Sequence, residues 1–180
     1  MPANAPVLTT GQVTEKLNIS RATLSKLVDT SVLHSEKSGA TTLFIEDEVT
    51  ELASRRPVAM PPRLGALVCR MGRPSHDGDR QIGWNETWPE EAKIEAVRGW
   101  WKVAWPDQLV GEALVAVVAG WVVGVWQIGQ EPPERNDAGR VRFRLHPATP
   151  AQTDYFARRT LSLPAGPAAL PIGVPFRGET

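Results

Sequence analysis

Seven tryptophans against a single tyrosine, all seven between residues 84 and 126, are the groups of this 180-residue chain whose chemistry stands out. Trp84, Trp88, Trp100, Trp101, Trp105, Trp121 and Trp126 each offer an indole face, and an indole stacks on any nucleobase at a gain of about 1–3 kcal/mol. The competing use of such rings is to fill the core of a small domain that has little interior. Further along, Arg140-Val141-Arg142-Phe143-Arg144-Leu145-His146 alternates strictly. On a strand, that puts Val, Phe and Leu on one face and Arg140, Arg142, Arg144 and His146 on the other, the most concentrated positive surface in the chain. Catalytic and metal chemistry have less to draw on. His34, His76 and His146 are far apart without metal-ligand spacing, and Cys69 stands alone, so neither a metal site nor an internal disulfide is expected. No nucleophile-elbow, Walker or dinucleotide-glycine pattern occurs, and Glu90, Glu91 and Glu95 with Lys93 read as a solvated helix face. No enzyme activity, catalytic residue or cofactor is therefore expected.

Groups like these work only if elements position them, and the first 56 residues define several. Thr9 with Gln12 three residues later is a capping-box pattern that should start a helix. Val13 and Leu17 share one face of it, and Asn18 suits a left-handed residue that closes it. Ser20 reads as the N-cap of a second helix whose Leu24, Leu27 and Val28 form an apolar stripe. Residues 32–44, rich in Ser, Thr and Gly, read as a hairpin turning near Ser38-Gly39. Acidic residues after Ile45, with Val49 and Leu52 facing inward, predict a third helix. The proline-bearing run 56–63 then reads as a linker.

The run LTTGQVTEKLNISRATLSKLVDTSVL, a hairpin and then FIEDEVTELA resembles the excisionase-like branch of the MerR superfamily of winged helix-turn-helix DNA-binding domains, across residues 7–56. The resemblance implies that the second helix enters the major groove, with Ser20, Arg21, Thr23, Ser25 and Lys26 meeting bases or phosphates. It also implies that Lys37 and Thr41 on the hairpin wing touch the flanking backbone. A helix start that carries Arg and small hydroxyls suits this task physically. Two features depart from the family pattern. The wing, Glu36 to Thr42, offers one cation against one anion, and residues 1–56 hold six Lys plus Arg against seven Asp plus Glu.

Beyond the linker, 64–70 is a short apolar run that predicts a strand, and the polar stretch 72–84 predicts an exposed loop. Trp88-Pro89-Glu90-Glu91 opens a helix expected to reach Trp100 or Trp101, with Ile94, Val97 and Trp101 facing the core. The stretch 109–128 has one charge, Glu112, but its Val runs broken by Ala119-Gly120 and Gly124 predict a hairpin of 114–118 and 121–128 rather than a membrane span. The Pro- and Gly-rich run 164–178 should wrap the surface or form an edge strand. The wording GWNETWPEEAKIEAVRGWWKV, ALVAVVAGWVVGVWQI and VRFRL is loosely similar to the PUA/ASCH/EVE group of small barrels. That likeness implies a cleft for a nucleobase lined by Trp84, Asn85, Arg98, Trp100 and Trp101, with arginines holding phosphates.

These readings predict an α+β fold: a winged helix-turn-helix domain at 1–58, then a Trp-rich α+β domain at 62–180 with a curled antiparallel sheet or partial barrel. The expected function is sequence-specific DNA binding, as a bacterial or phage transcriptional regulator or excisionase-like factor. The alternative is an antitoxin-like adaptor that docks a protein partner through the same fold. Twenty Lys plus Arg balance twenty Asp plus Glu, so duplex binding must come from local charge, from the second domain or from a homodimer. The start MPANAPVLTT has no basic region followed by an apolar run, so a cytoplasmic, nucleoid-associated protein is expected.

Overall fold

The computed structural model describes residues 6–174. It is a mixed α+β structure of several open sheets. It begins with β1 (Val7–Thr9), α1 (Thr10–Leu17) and α2 (Arg21–Asp29), then β2 (Glu36–Ser38), β3 (Thr41–Ile45) and α3 (Glu46–Ser54). The helix starts follow the expected caps. Gln12 Oε1 accepts from the Thr9 N–H at 2.8 Å and from its hydroxyl at 2.9 Å, and the Thr23 N–H donates to Ser20 Oγ at 3.1 Å. Asn18 takes the left-handed conformation that ends α1, at φ 51°. Val13, Leu24, Leu27, Phe44, Val49 and Leu52 close over one another beneath these elements. β1 completes a three-stranded sheet in the order β1-β3-β2.

The rest of the chain adds β4 (Ala66–Arg70), β5 (Ser75–Asp77), β6 (Arg80–Ile82), α4 (Glu90–Val97) and β7 (Gly99–Trp101). After a 3-10 turn at Pro106–Leu109 come β8 (Ala113–Val118), β9 (Trp121–Ile128), β10 (Glu134–Arg135), β11 (Val141–Arg142), β12 (Leu145–Pro147), α5 (Pro150–Phe156) and β13 (Ala169–Ile172). Five strands form the main sheet in the order β12-β9-β8-β4-β13. Both faces of this sheet are covered, which explains why every residue of β8 is buried. Leu67, Cys69, Leu114, Ala116 and Ile128 face one apolar cluster, while Ala66, Val68, Val115, Val117, Phe156 and Leu161 face another. The stretch 109–128 is thus largely a hairpin, and among the described residues no helix is long and apolar enough to cross a membrane. Burial also pushes the Cys69 thiol up, away from the reactive thiolate.

Several expectations need correction. The main sheet is not wholly antiparallel: β4 and β8 run parallel, because the chain between them crosses over through α4 instead of turning back directly. The stretch 72–84 contains the β5–β6 hairpin and ends in a wholly buried Trp84. The helix from Glu90 stops at Val97, so Trp100 and Trp101 lie on a strand. Gly99 takes the chain out of the helix at φ 158°, and a Cβ on it would sit 2.7 Å from Arg142 Cα and 2.8 Å from the Val141 carbonyl oxygen. Only glycine lets β11 lie there. The alternating run 140–146 is split between sheets, with β11 on β7 and β12 on β9. Its alternation survives, with Val141 and Phe143 buried and Arg140 and Arg144 exposed. The expected edge strand is β13; residues 175–178 of that run lie outside the described residues. Helix α5 had no counterpart in the sequence reading, although Thr149 and Gln152 form a capping box around Pro150.

The segment 56–63 is pinned rather than free. The Val58 N–H donates to the Thr160 carbonyl at 2.9 Å, the Thr160 N–H donates to the Arg56 carbonyl at 3.0 Å, and Val58 is buried. Other bonds also join the first 55 residues to the remainder. Trp121 Nε1 donates to the Leu52 carbonyl at 3.1 Å, Arg55 Nη1 to the Val122 carbonyl at 3.0 Å, and the Glu86 N–H to the Thr30 carbonyl at 2.9 Å. One apolar cluster includes Val13 and Leu27 on one side of this junction and Leu67, Trp84 and Leu114 on the other.

Candidate nucleic-acid interface

Helix α2 buries Leu24 and Leu27 and leaves Arg21, Ala22, Ser25 and Asp29 exposed on the opposite side, as its 3.6-residue period requires. Ser20 and Thr23 share a hydroxyl contact of 2.9 Å at its start, and Arg21 stands exposed beside them. Lys37 and Thr41 are both exposed on the β2–β3 hairpin, while Lys26 is half-buried. The distal half of the exposed face is bridged from elsewhere in the chain. Arg73, on the loop after β4, hydrogen-bonds Asp29 through Nε and reaches Ser25 Oγ through Nη2 at 3.2 Å. Ser25 Oγ itself donates to Asp29 at 3.2 Å.

Charge accumulates where this bridge lands. Burial first, then the nearby Arg73 and Arg70 guanidinium groups, hold the Lys26 pKa below its ordinary value. A trough of about 320 Å³ runs beside it, lined by Lys26, Arg70 and residues of the β8–β9 turn. Three cations gathered this way repel one another and favour an anion alongside. Arg70 and Arg73 were not anticipated as site residues, because no local pattern links them to α2.

The tryptophans separate into two groups. Trp84 is wholly buried: its Nε1 donates to Glu86 at 3.0 Å, Lys93 lies 5.4 Å from its centroid, and it meets Trp126 edge-on at 6.2 Å. It therefore cannot line a cleft. Asn85 Oδ1 accepts from the Thr87 N–H at 2.9 Å and hydroxyl at 2.8 Å, which shapes a turn. Trp100 and Trp101 are half-buried and do border a cavity, of about 260 Å³, together with Arg70, Arg73, Arg80 and Arg140. Trp101 Nε1 donates to the Val97 carbonyl at 2.8 Å, and the Arg142 guanidinium sits 5.7 Å from the Trp100 centroid.

The arginine row expected from 140–146 is largely compensated. Arg142 pairs with Glu95 at 2.8 Å, and Arg144 and His146 both meet Glu131 at 3.5 Å. Arg98 pairs with Glu95 at 3.3 Å, while the buried Nε atoms of Arg98 and Arg142 have no hydrogen-bond partner. Arg140 is exposed, and its Nη1 contacts the Trp100 carbonyl at 3.5 Å. Hence the structure unites Arg140, Trp100 and Trp101 around one cavity and separates them from Trp84, Asn85 and Arg144. No family model matches the chain, and no curated protein or solved structure is significantly similar to it.

Proposed function

We propose that the chain binds double-stranded DNA as a transcriptional regulator or excisionase-like factor, with residues 7–56 acting as a winged helix-turn-helix. In this reading Ser20, Arg21 and Thr23 at the start of α2 approach phosphates and base edges, where exposed N–H groups and the helix dipole favour negative charge. Lys37 and Thr41 on the hairpin contact the backbone to one side. The observation that carries the reading is the placement of Arg73 against Ser25 and Asp29. It sets a cation from outside the first 56 residues onto the exposed side of α2, and it engages the one carboxylate there that would repel phosphate. Residues 1–56 are slightly acidic alone, so this borrowed charge, with Arg70 beside Lys26, supplies what phosphate binding needs.

The test is selection of duplexes from a random library with the full chain, followed by titration of the selected duplex across salt concentrations. Binding should weaken steeply with salt. Arg21→Ala and Lys37→Ala should each reduce the salt slope by about one counterion. Absence of any salt-sensitive retention would overturn the reading.

A further inference from the structure

We propose that the cavity between the β5–β6 hairpin and β7 is a phosphate-binding site, formed by Arg70, Arg73, Arg80 and Arg140 at the edge of Trp100. Four guanidinium groups line this space of about 260 Å³, and Asp77 is the one carboxylate among its lining residues. The partners of those arginines decide the argument. Arg70 hydrogen-bonds the carbonyls of Gly166, at 3.0 Å, and Pro164. Arg80 Nη2 donates to the carbonyls of Glu95 and Ala96 at 3.2 and 3.1 Å, and Arg140 Nη1 to that of Trp100 at 3.5 Å.

Carbonyls orient a guanidinium without neutralising it. Among the described residues, none of the three has a carboxylate within ion-pair distance, unlike Arg142, which pairs with Glu95. Burial first, then the neighbouring Arg142, push the Arg80 pKa down against the opposing pull of Glu95 and Asp77. A phosphate group meets this arrangement on its own terms, because guanidinium forks match its oxygens in charge and geometry. Arg73 joins the cavity to the exposed side of α2, and Arg70 joins it to the trough beside Lys26. The same phosphate chemistry therefore has two sources: a free phosphorylated small molecule, or a backbone phosphate of a duplex lying along α2.

Titration calorimetry of the full chain distinguishes them, with inorganic pyrophosphate in one arm and a duplex selected from a random library in the other. The variants are Arg140→Ala, whose side chain is exposed, and Arg80→Gln, with Arg63→Ala, an exposed arginine beside Tyr155 that does not line the cavity, as a control and near-ultraviolet circular dichroism as the check on folding. If a free ligand is the source, pyrophosphate binds one to one and each cavity variant weakens it about tenfold or more, as loss of a charged hydrogen bond should. If the duplex is the source, pyrophosphate does not bind and the same variants weaken the duplex by a similar factor. The control leaves both unchanged. The proposal is overturned if neither probe binds, or if both folded cavity variants bind as the unaltered chain does. Pyrophosphate binding without duplex binding would sustain this site while removing the DNA-binding reading, which makes the two failures distinguishable.

Discussion

Arg73 and Asp29, 44 positions apart, form an ion pair that fastens the loop after β4 to the exposed side of α2. Both side chains remain substantially exposed, at 58% and 40%. The pair therefore stabilises the fold by only about 0–1 kcal/mol. Its larger effect is electrostatic: it sets a further cation against the one carboxylate that α2 carries.

Arg73→Ala should therefore cost little in folding and more in duplex binding, since it removes a cation and uncovers a carboxylate in one step. Asp29→Asn alone should strengthen binding, and the double variant should recover much of what Arg73→Ala loses. A double-mutant cycle on duplex affinity, with urea midpoints measured in parallel, tests this. No gain from Asp29→Asn in either background would show that Asp29 does not face the ligand.

Trp84 and Trp100 should behave as opposites. Trp84 is wholly buried against Trp126, so Trp84→Ala should destabilise the chain by about 3–5 kcal/mol. Trp100 is half-buried at the cavity edge, and Trp100→Ala should cost about half of that or less. Urea unfolding of the two variants measures the difference. Equal costs would place Trp100 in the core and remove it from any ligand surface.

What the sequence made legible was local. Thr9, Ser20 and Asn18 set helix ends by bonds to residues a few positions away, and the chain reversal at Ala119-Gly120 needs only its own left-handed backbone, φ 52° and 96°. The β8–β9 hairpin followed from that turn. What could not be read depends on distance along the chain. The parallel pairing of β4 with β8 arises from a crossover, and the contact of Arg73 with α2 spans two units whose patterns are independent. The helical pattern of residues 90–97 runs on toward Trp100 and Trp101 in the sequence, whereas the requirement for glycine at 99 comes from β11, far along the chain. The tryptophan bias was informative in bulk and misleading residue by residue, since Trp84 packs the core and Trp100 borders a cavity.

Gly99→Ala tests that constraint directly. The atoms its Cβ would meet include Arg142 Cα and the Val141 carbonyl oxygen, which cannot rotate away as a side-chain tip could. Forcing β7 and β11 apart should cost about 1–3 kcal/mol and should reshape the cavity lined by Trp100 and Arg140. Gly139→Ala is a weaker perturbation: a Cβ there meets nothing within 4 Å, and only its φ of 67° opposes the change. Comparable thermal shifts for the two would mean that β11 can retreat from Gly99 without cost.

Acid should loosen the junction between the first 55 residues and the rest through Glu51. Its carboxylate meets Arg55 at 3.1 Å and Arg158 at 2.8 Å, the second reaching across from the far side of the junction. Burial alone would raise its pKa. Hydrogen bonds and charge from Arg55, then from Arg158, outweigh that and hold it below the ordinary 4.5. A carboxyl whose folded pKa lies below its unfolded value contributes stability that is complete above the unfolded value and disappears as pH falls through the folded one. Urea midpoints should accordingly be insensitive to Glu51 titration from neutral pH down to about 5 and decline below that. Glu51→Gln should lower the midpoint at neutral pH and flatten the acid decline, so that the two curves converge as pH falls. Parallel curves would show that the Arg55 and Arg158 contacts contribute no net stability. A decline confined to the alkaline side would contradict the direction of the shift itself.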